Sequence, residues 1–217
     1  MPFEKLIAGY KSFHKDFFEK DRLLYEELGR GQSPETLIIA CSDSRVDPAM
    51  ITNSLPGELF VVRNVAAIVP PYKIDDQHHG TSAAIEFAVK SLKVKHIIVL
   101  GHSFCGGVHA LSEIEKTAEN FEFISQWMRI GSSALHAVES ELGNASPGIK
   151  RAALEQALIL VSLNNLMTFP WIALAVGEGR LDIHGWYFDI KTGKLRHYDT
   201  ASGLFTDIEK SSAIRQA

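Results

Sequence analysis

Hydrophobic positions in the first thirty residues recur at helical spacing. Phe3, Leu6, Ile7, Tyr10, Phe13, Phe17, Leu24 and Leu28 line one stripe, with Lys and Glu between them. Gly29-Arg30-Gly31 supplies the stop. So dense an aromatic stripe has to be covered, either by the chain's own core or by a second subunit. The pattern then changes. Residues 36–40, 58–62 and 96–100 are short apolar runs that predict strands, and the first is continuous, as in a strand buried on both faces. Between the last two, residues 81–92 predict a helix with Ala84, Ile85, Ala88 and Val89 on one face. Strands alternating with helices predict an α/β fold, a mainly parallel sheet flanked by helices.

Beyond Gly106-Gly107 the chain reads mostly as helix. Residues 121–142 predict one, ending at Gly143-Asn144, and residues 149–168 another, stopped by Pro170. Residues 181–188 alternate like a strand. Lys191-Thr192-Gly193-Lys194 then turns the chain into residues 195–198, predicting an antiparallel hairpin at the sheet edge. With no internal repeat, low-complexity tract or linker, residues 1–217 read as a single domain whose first 31 residues form an N-terminal helical arm.

Composition narrows the function. Of 217 residues, 46% are hydrophobic and 22% charged, the mix of a globular chain with a sizeable core. A net charge of -4 and the lack of a basic cluster argue against nucleic acid or an acidic membrane as partner. The N-terminus lacks a secretory layout, and the longest apolar stretch, residues 171–176, is too short to span a bilayer. The expectation is a cytoplasmic protein. There are two cysteines, Cys41 and Cys105, which in such a chain bind metal, do redox work or sit reduced in the core more often than they form a disulfide.

Each cysteine lies in a loop that directly follows a predicted buried strand: Cys41-Ser42-Asp43-Ser44-Arg45 after the first, Gly101-His102-Ser103-Phe104-Cys105-Gly106-Gly107 after the third. The carboxyl ends of the strands are where an open parallel sheet binds ligands. Cys41, His102 and Cys105 therefore fall at one edge, and two sulfurs with an imidazole suit zinc. Three protein ligands leave a fourth tetrahedral position, as in catalytic sites. Two thiolates cancel the charge of zinc, so its water needs help from its surroundings to ionise. Asp43 can accept a hydrogen bond from the nucleophile, and Arg45 can clamp Asp43 by a forked ion pair. By spacing alone, a redox thiol pair, two buried cysteines, or a loop salt bridge between Asp43 and Arg45 remain open.

At these residues the sequence resembles the β-class carbonic anhydrases. Their signatures Cys-x-Asp-x-Arg and His-x-x-Cys appear as residues 41–45 and 102–105, supported by the runs at 56–64, 80–87 and 185–189. The likeness covers roughly residues 32–198. It implies reversible hydration of carbon dioxide to bicarbonate by zinc-bound hydroxide, with one zinc per subunit on Cys41, His102 and Cys105, and Asp43 and Arg45 as the catalytic pair. It also implies a substrate pocket: Gln32 as a donor to substrate oxygen, Phe60 and Val65 as apolar lining, and the Gly106 N–H as a bicarbonate donor. Phe87 falls where plant members carry a tyrosine, which removes a hydroxyl. A homodimer or dimer of dimers follows from the resemblance, with the N-terminal arm at the interface. One subclass binds bicarbonate at a second site through a tryptophan three residues before the first zinc cysteine. That position is Ile38, so the expectation is the plant-like subclass, with an open site and Asp43 paired to Arg45.

His78 and His79, in a polar stretch leading into the 81–92 helix, are candidates to carry the proton away. Two other readings stand beside the main one. Relatives hydrolyse carbon disulfide or carbonyl sulfide on the same scaffold, and a non-catalytic zinc-binding assembly module would have no use for Asp43 and Arg45.

Overall fold

The computed structural model describes residues 2–210, which group into two compact units, one ending at Ser33 and the other beginning at Pro34. In the first, the aromatic stripe is not one helix. Helix α1 (Phe3–Phe13) runs on through a π-helical turn (His14–Phe18), and α2 (Arg22–Leu28) follows a break at which Asp21 leaves helical geometry. The break lets Tyr25 fold back onto the rings of Phe18, Phe13 and Phe17, with centroids 4.7, 6.1 and 6.2 Å away. Aromatic contact thus outweighs helical continuity over one turn. Phe3, Leu6, Ile7 and Tyr10 stay exposed.

The second unit is built on a six-stranded sheet. In chain order its elements are β1 (Thr36–Cys41), α3 (Pro48–Thr52), β2 (Leu59–Asn64), α4 (Gly80–Glu86), β3 (His96–His102), α5 (Gly106–Ser112), α6 (Ile114–Asn120), α7 (Glu122–Met128), α8 (Ser132–Leu142), α9 (Pro147–Leu166), α10 (Pro170–Gly177), β4 (Asp182–Phe188), β5 (Leu195–Asp199) and β6 (Leu204–Asp207). The strand order is β2-β1-β3-β4-β5-β6. The first four are mutually parallel, and β5 and β6 add on antiparallel. The expected α/β fold, parallel core and edge hairpin are all present.

Residues 37–40 of β1 and 97–100 of β3 are buried on both faces. Leu37, Ile39, Ile97 and Val99 pack with Ile85, Ile159, Phe169 and Ile172, while Ile38, Ala40, Ile98 and Leu100 pack with Val46 on the other face. A third cluster joins Cys41 and Cys105 to Val108, Leu111, Met128, Leu154 and Leu158. Helix α9 lies close against the sheet because Gly101 and Gly185 leave room for it. A Cβ on Gly101 would come within 2.7 Å of Ile159.

Several boundaries differ from the sequence pattern. The 121–142 helix is interrupted by a 3-10 turn (Arg129–Gly131) where Gly131 passes so close to Leu158 and Leu111 that a Cβ would sit 2.5 Å from the first. The 81–92 helix is α4 up to Glu86 and continues as a π-helical segment (Phe87–Leu92) closed by Lys93 in the left-handed region. The apolar run 171–176 belongs to α10, and β6 follows the hairpin; neither was expected as an element. Strand β6 is short, and its register depends on β5, where Arg196 pairs with Asp207 at 3.2 Å. No single helix among the described residues is long and apolar enough to cross a membrane.

Candidate active site

Cys41 and His102 are not loop residues, as the pattern suggested, but the last residues of β1 and β3. Register extends that far because Cys41 pairs opposite Asn64 and His102 opposite Phe188. Ladder geometry, stiffer than a loop, therefore aims two of the three candidate ligands. Cys105 stands at the N-cap of α5. The turn reaches it through Phe104 in left-handed geometry (φ 58°).

All three side chains are buried, and their ligand atoms lie within 4.8 Å of one another. Cys41 Sγ and Cys105 Sγ are 3.8 Å apart. Tetrahedral zinc with bonds of about 2.3 Å to sulfur separates its sulfurs by about 3.8 Å, so the spacing fits. His102 donates from Nδ1 to the Ser103 carbonyl at 2.9 Å, which leaves the Nε2 lone pair free. Nε2 is the one buried side-chain nitrogen or oxygen among the described residues that lacks a hydrogen-bond partner. Such an orphan is costly unless something else binds it.

Electrostatics point the same way. The Cys105 sulfur and His102 hold Cys41 down toward the thiolate, against burial; Cys41 and then burial push Cys105 up. Burial works against a charge on His102, but the Cys41 sulfur and the Ser103 carbonyl outweigh it and raise the imidazole. Cys41 thus shifts both other groups and is shifted by both, and a dication would displace the protons the three carry. The backbone N–H groups of Asp43 and Ala66 favour the thiolate of Cys41, and those of Val108 and Gly107 that of Cys105. Ala66 and Ala67 are both left-handed, at φ 66° and 54°, a strain of about 1–3 kcal/mol each placed beside the site.

Asp43 takes a forked bond from Arg45, Nε to Oδ1 at 2.9 Å and Nη2 to Oδ2 at 2.7 Å, and accepts the Arg45 backbone N–H as well. That fork holds the Asp43 carboxylate well below the usual range, against burial. Its Oδ2 lies 3.9 Å from His102 Nε2, so the carboxylate borders the space that the three ligands face. The pattern gave Arg63 no role. From β2 it donates to the carbonyls of Cys41, Asp43 and Val46 at 3.0, 2.6 and 2.8 Å, and so shapes the whole 41–46 turn.

The sequence-derived pocket residues are only partly brought together. Val65 and Gly106 line one cavity of about 430 Å³ with Gly107 and Ile124. Phe60 and Phe87 instead face each other, centroids 5.8 Å apart, and line neither that cavity nor the larger one. Gln32 lies exposed in the N-terminal unit. His78 and His79 line a cleft of about 820 Å³ together with Asn64, Val65 and Trp127.

The carbonic anhydrase family model matches residues 36–195. A carbonic anhydrase of Pseudomonas aeruginosa is 37% identical over 210 residues, 97% of this chain and 94% of that one. Among solved structures, the β-carbonic anhydrase CcaA superposes with a TM-score of 0.90 at 35% identity, covering 94% of this chain and 98% of that one. The chain belongs to the β-class carbonic anhydrases. As a member of that family it is a carbonate dehydratase, a lyase. A carbonic anhydrase of Synechocystis is 38% identical over 90% of this chain and 71% of its own length. A structure described among two tetrameric β-carbonic anhydrases of Sordaria macrospora has a TM-score of 0.81 at 30% identity, covering 94% and 98% of the two chains.

Sequence reasoning overlooked Glu155 and Tyr187 at this carbonic anhydrase site. Glu155 is 3% exposed on α9. Its Oε1 accepts the Cys105 N–H at 3.3 Å and its Oε2 the Tyr187 hydroxyl at 2.7 Å. Burial pushes its carboxyl up, and burial with Glu155 pushes the Tyr187 phenol up. A signal existed: Glu155 falls on the buried stripe of Leu154, Leu158, Ile159 and Ser162, where a carboxylate needs a reason.

Proposed function

We propose that this enzyme interconverts carbon dioxide and bicarbonate at one zinc ion per subunit, held by Cys41, His102 and Cys105. The observation that carries this reading is the orphaned Nε2 of buried His102, facing two sulfurs spaced as zinc would space them. When bound, zinc supplies Lewis acidity that makes water nucleophilic near neutral pH. The chain's residues supply the rest. Asp43, kept ionised by Arg45, is a pure acceptor beside the ligand cluster, so it orients a group that donates a hydrogen bond and disfavours one that cannot. That Val65 and Gly106 line one cavity supports Val65 as an apolar wall for carbon dioxide and the Gly106 N–H as a donor to a bicarbonate oxygen.

The forked Asp43–Arg45 pair and the presence of Ile38 support the plant-like subclass. The uncovered face of α1 and the tetrameric Sordaria relatives support a homodimer or dimer of dimers with the arm at its interface. The exposed Phe87, against half-buried Phe60, is a surface that a second copy can use. Two free, buried cysteines fit a reducing cytoplasm.

The deciding experiment is zinc analysis with stopped-flow carbon dioxide hydration on wild type and Asp43→Ala. One zinc per chain in both, with activity lost in the variant, is the expected result. A carefully reduced wild type without stoichiometric metal overturns the reading.

A further inference from the structure

The Cys105 side of the site rests on a carboxyl group that the reaction does not itself use. Both oxygens of Glu155 are committed, one to the Cys105 N–H and the other to the Tyr187 hydroxyl. Tyr187 belongs to β4 and is buried, so its hydroxyl is a fixed anchor. One turn before Glu155 on α9, Arg151 places Nε 4.0 Å from Oε1 and its guanidinium carbon 4.4 Å from the centre of the Phe104 ring. Lys191 Nζ lies 4.6 Å from the same centre. The Phe104 carbonyl in turn accepts from Arg45 Nη2 at 2.9 Å. The segment from His102 to Cys105 is thereby tied to α9, to β4 and to the Asp43–Arg45 pair.

An apolar residue would fill position 155 at no desolvation cost, whereas a buried carboxyl costs several kcal/mol unless both oxygens are partnered. Here both are, and one partner is the backbone of a candidate metal ligand. Gly107 and Val108 belong to the turn of α5 that Cys105 caps, so a shift of the Cys105 backbone would disturb that turn as well.

We propose that Glu155, oriented by Tyr187, is a positioning residue that fixes the Cys105 backbone and so sets how firmly the Cys105 thiolate holds the metal. The proposal rests on the zinc reading above. Wild type, E155Q, E155A and Y187F would each be loaded with zinc, and separately with cobalt. Three quantities would be measured: zinc release to a chelator, the sulfur-to-cobalt absorption bands, and the unfolding temperature. Outer-shell partners of metal ligands change affinity by about 10–100-fold when removed. E155A should release zinc faster by about that factor and shift the cobalt bands, with Y187F moving the same way by less. E155Q, whose amide oxygen can still accept the Cys105 N–H, should stay near wild type. A lower unfolding temperature with unchanged cobalt bands and zinc release would reduce Glu155 to a packing role and overturn the proposal. If E155A does not fold, Y187F decides, since it removes only a hydroxyl: wild-type release and bands overturn the idea. A wild type that binds no metal removes the zinc reading and this inference together; a metal-loaded wild type indistinguishable from its variants removes this inference alone.

Discussion

Arg45 grips both carboxylate oxygens of Asp43 and, from the same Nη2, reaches the carbonyl of Phe104. One guanidinium thus joins the turn after β1 to the turn after β3, the two turns that leave the strand ends carrying Cys41 and His102. A planar fork can do this; an ammonium cannot.

Arg45→Lys should therefore cost nearly as much activity as Arg45→Ala. Both should lower kcat by about 10²-fold or more, the scale on which positioned polar groups act, with zinc content unchanged. Stopped-flow hydration with parallel metal analysis checks this. Near-wild-type turnover in Arg45→Lys would show that charge alone suffices.

The paired glycines after Cys105 should behave in opposite ways. A Cβ on Gly107 would meet Val65 Cγ1 at 2.7 Å and Ala66 Cβ at 2.9 Å, both short, stiff side chains, whereas Gly106 has open space above it. Gly107→Ala should destabilise by about 1–3 kcal/mol through overpacking. Gly106→Ala should leave stability near wild type. Chemical denaturation of the two variants distinguishes them.

For proton export, the structure separates two neighbours that the sequence left equal. His79 Nε2 is held 2.6 Å from Asp75 Oδ1, and the other oxygen of the same carboxylate is paired to Lys73. His78 lines the same cleft and stands exposed. His78→Ala should lower turnover in dilute buffer more than His79→Ala, with recovery on adding imidazole. Equal turnover in both variants and wild type would remove the histidines from the route.

A pH effect on stability should arise far from the ligands, near the starts of β3 and β4. His184 Nε2 lies 3.3 Å from His96 Nδ1. Burial, and then the nearness of His96 and His197, depress His184, while Asp182 opposes them. A histidine lowered on folding binds protons more readily when unfolded, so stability is full above the unfolded value of 6.5 and falls as pH drops toward the folded one. The melting temperature should decline between about pH 7 and about pH 5, where histidines titrate, and less so in His184→Gln. Parallel curves for the two proteins would contradict this.

The sequence by itself determined where the buried strands run, because strands covered on both faces must be apolar throughout, and it placed Cys41 and His102 where those strands end and Cys105 three residues beyond. It also presented Asp43 and Arg45 two residues apart, close enough for their pairing to be local. What it could not convey was distance between segments remote in the chain. That the Cys41 and Cys105 sulfurs lie 3.8 Å apart, that Arg63 reaches three carbonyls of the 41–46 turn, and that Glu155 supports Cys105 across 50 residues all depend on how β1, β2, β3 and α9 pack. The same holds for Val65 and Gly106 sharing a cavity that excludes Phe60 and Phe87. Periodicity follows from local backbone geometry and is written residue by residue; convergence follows from the register of the sheet and the close approach at Gly101, Gly107 and Gly185, which only the folded chain expresses.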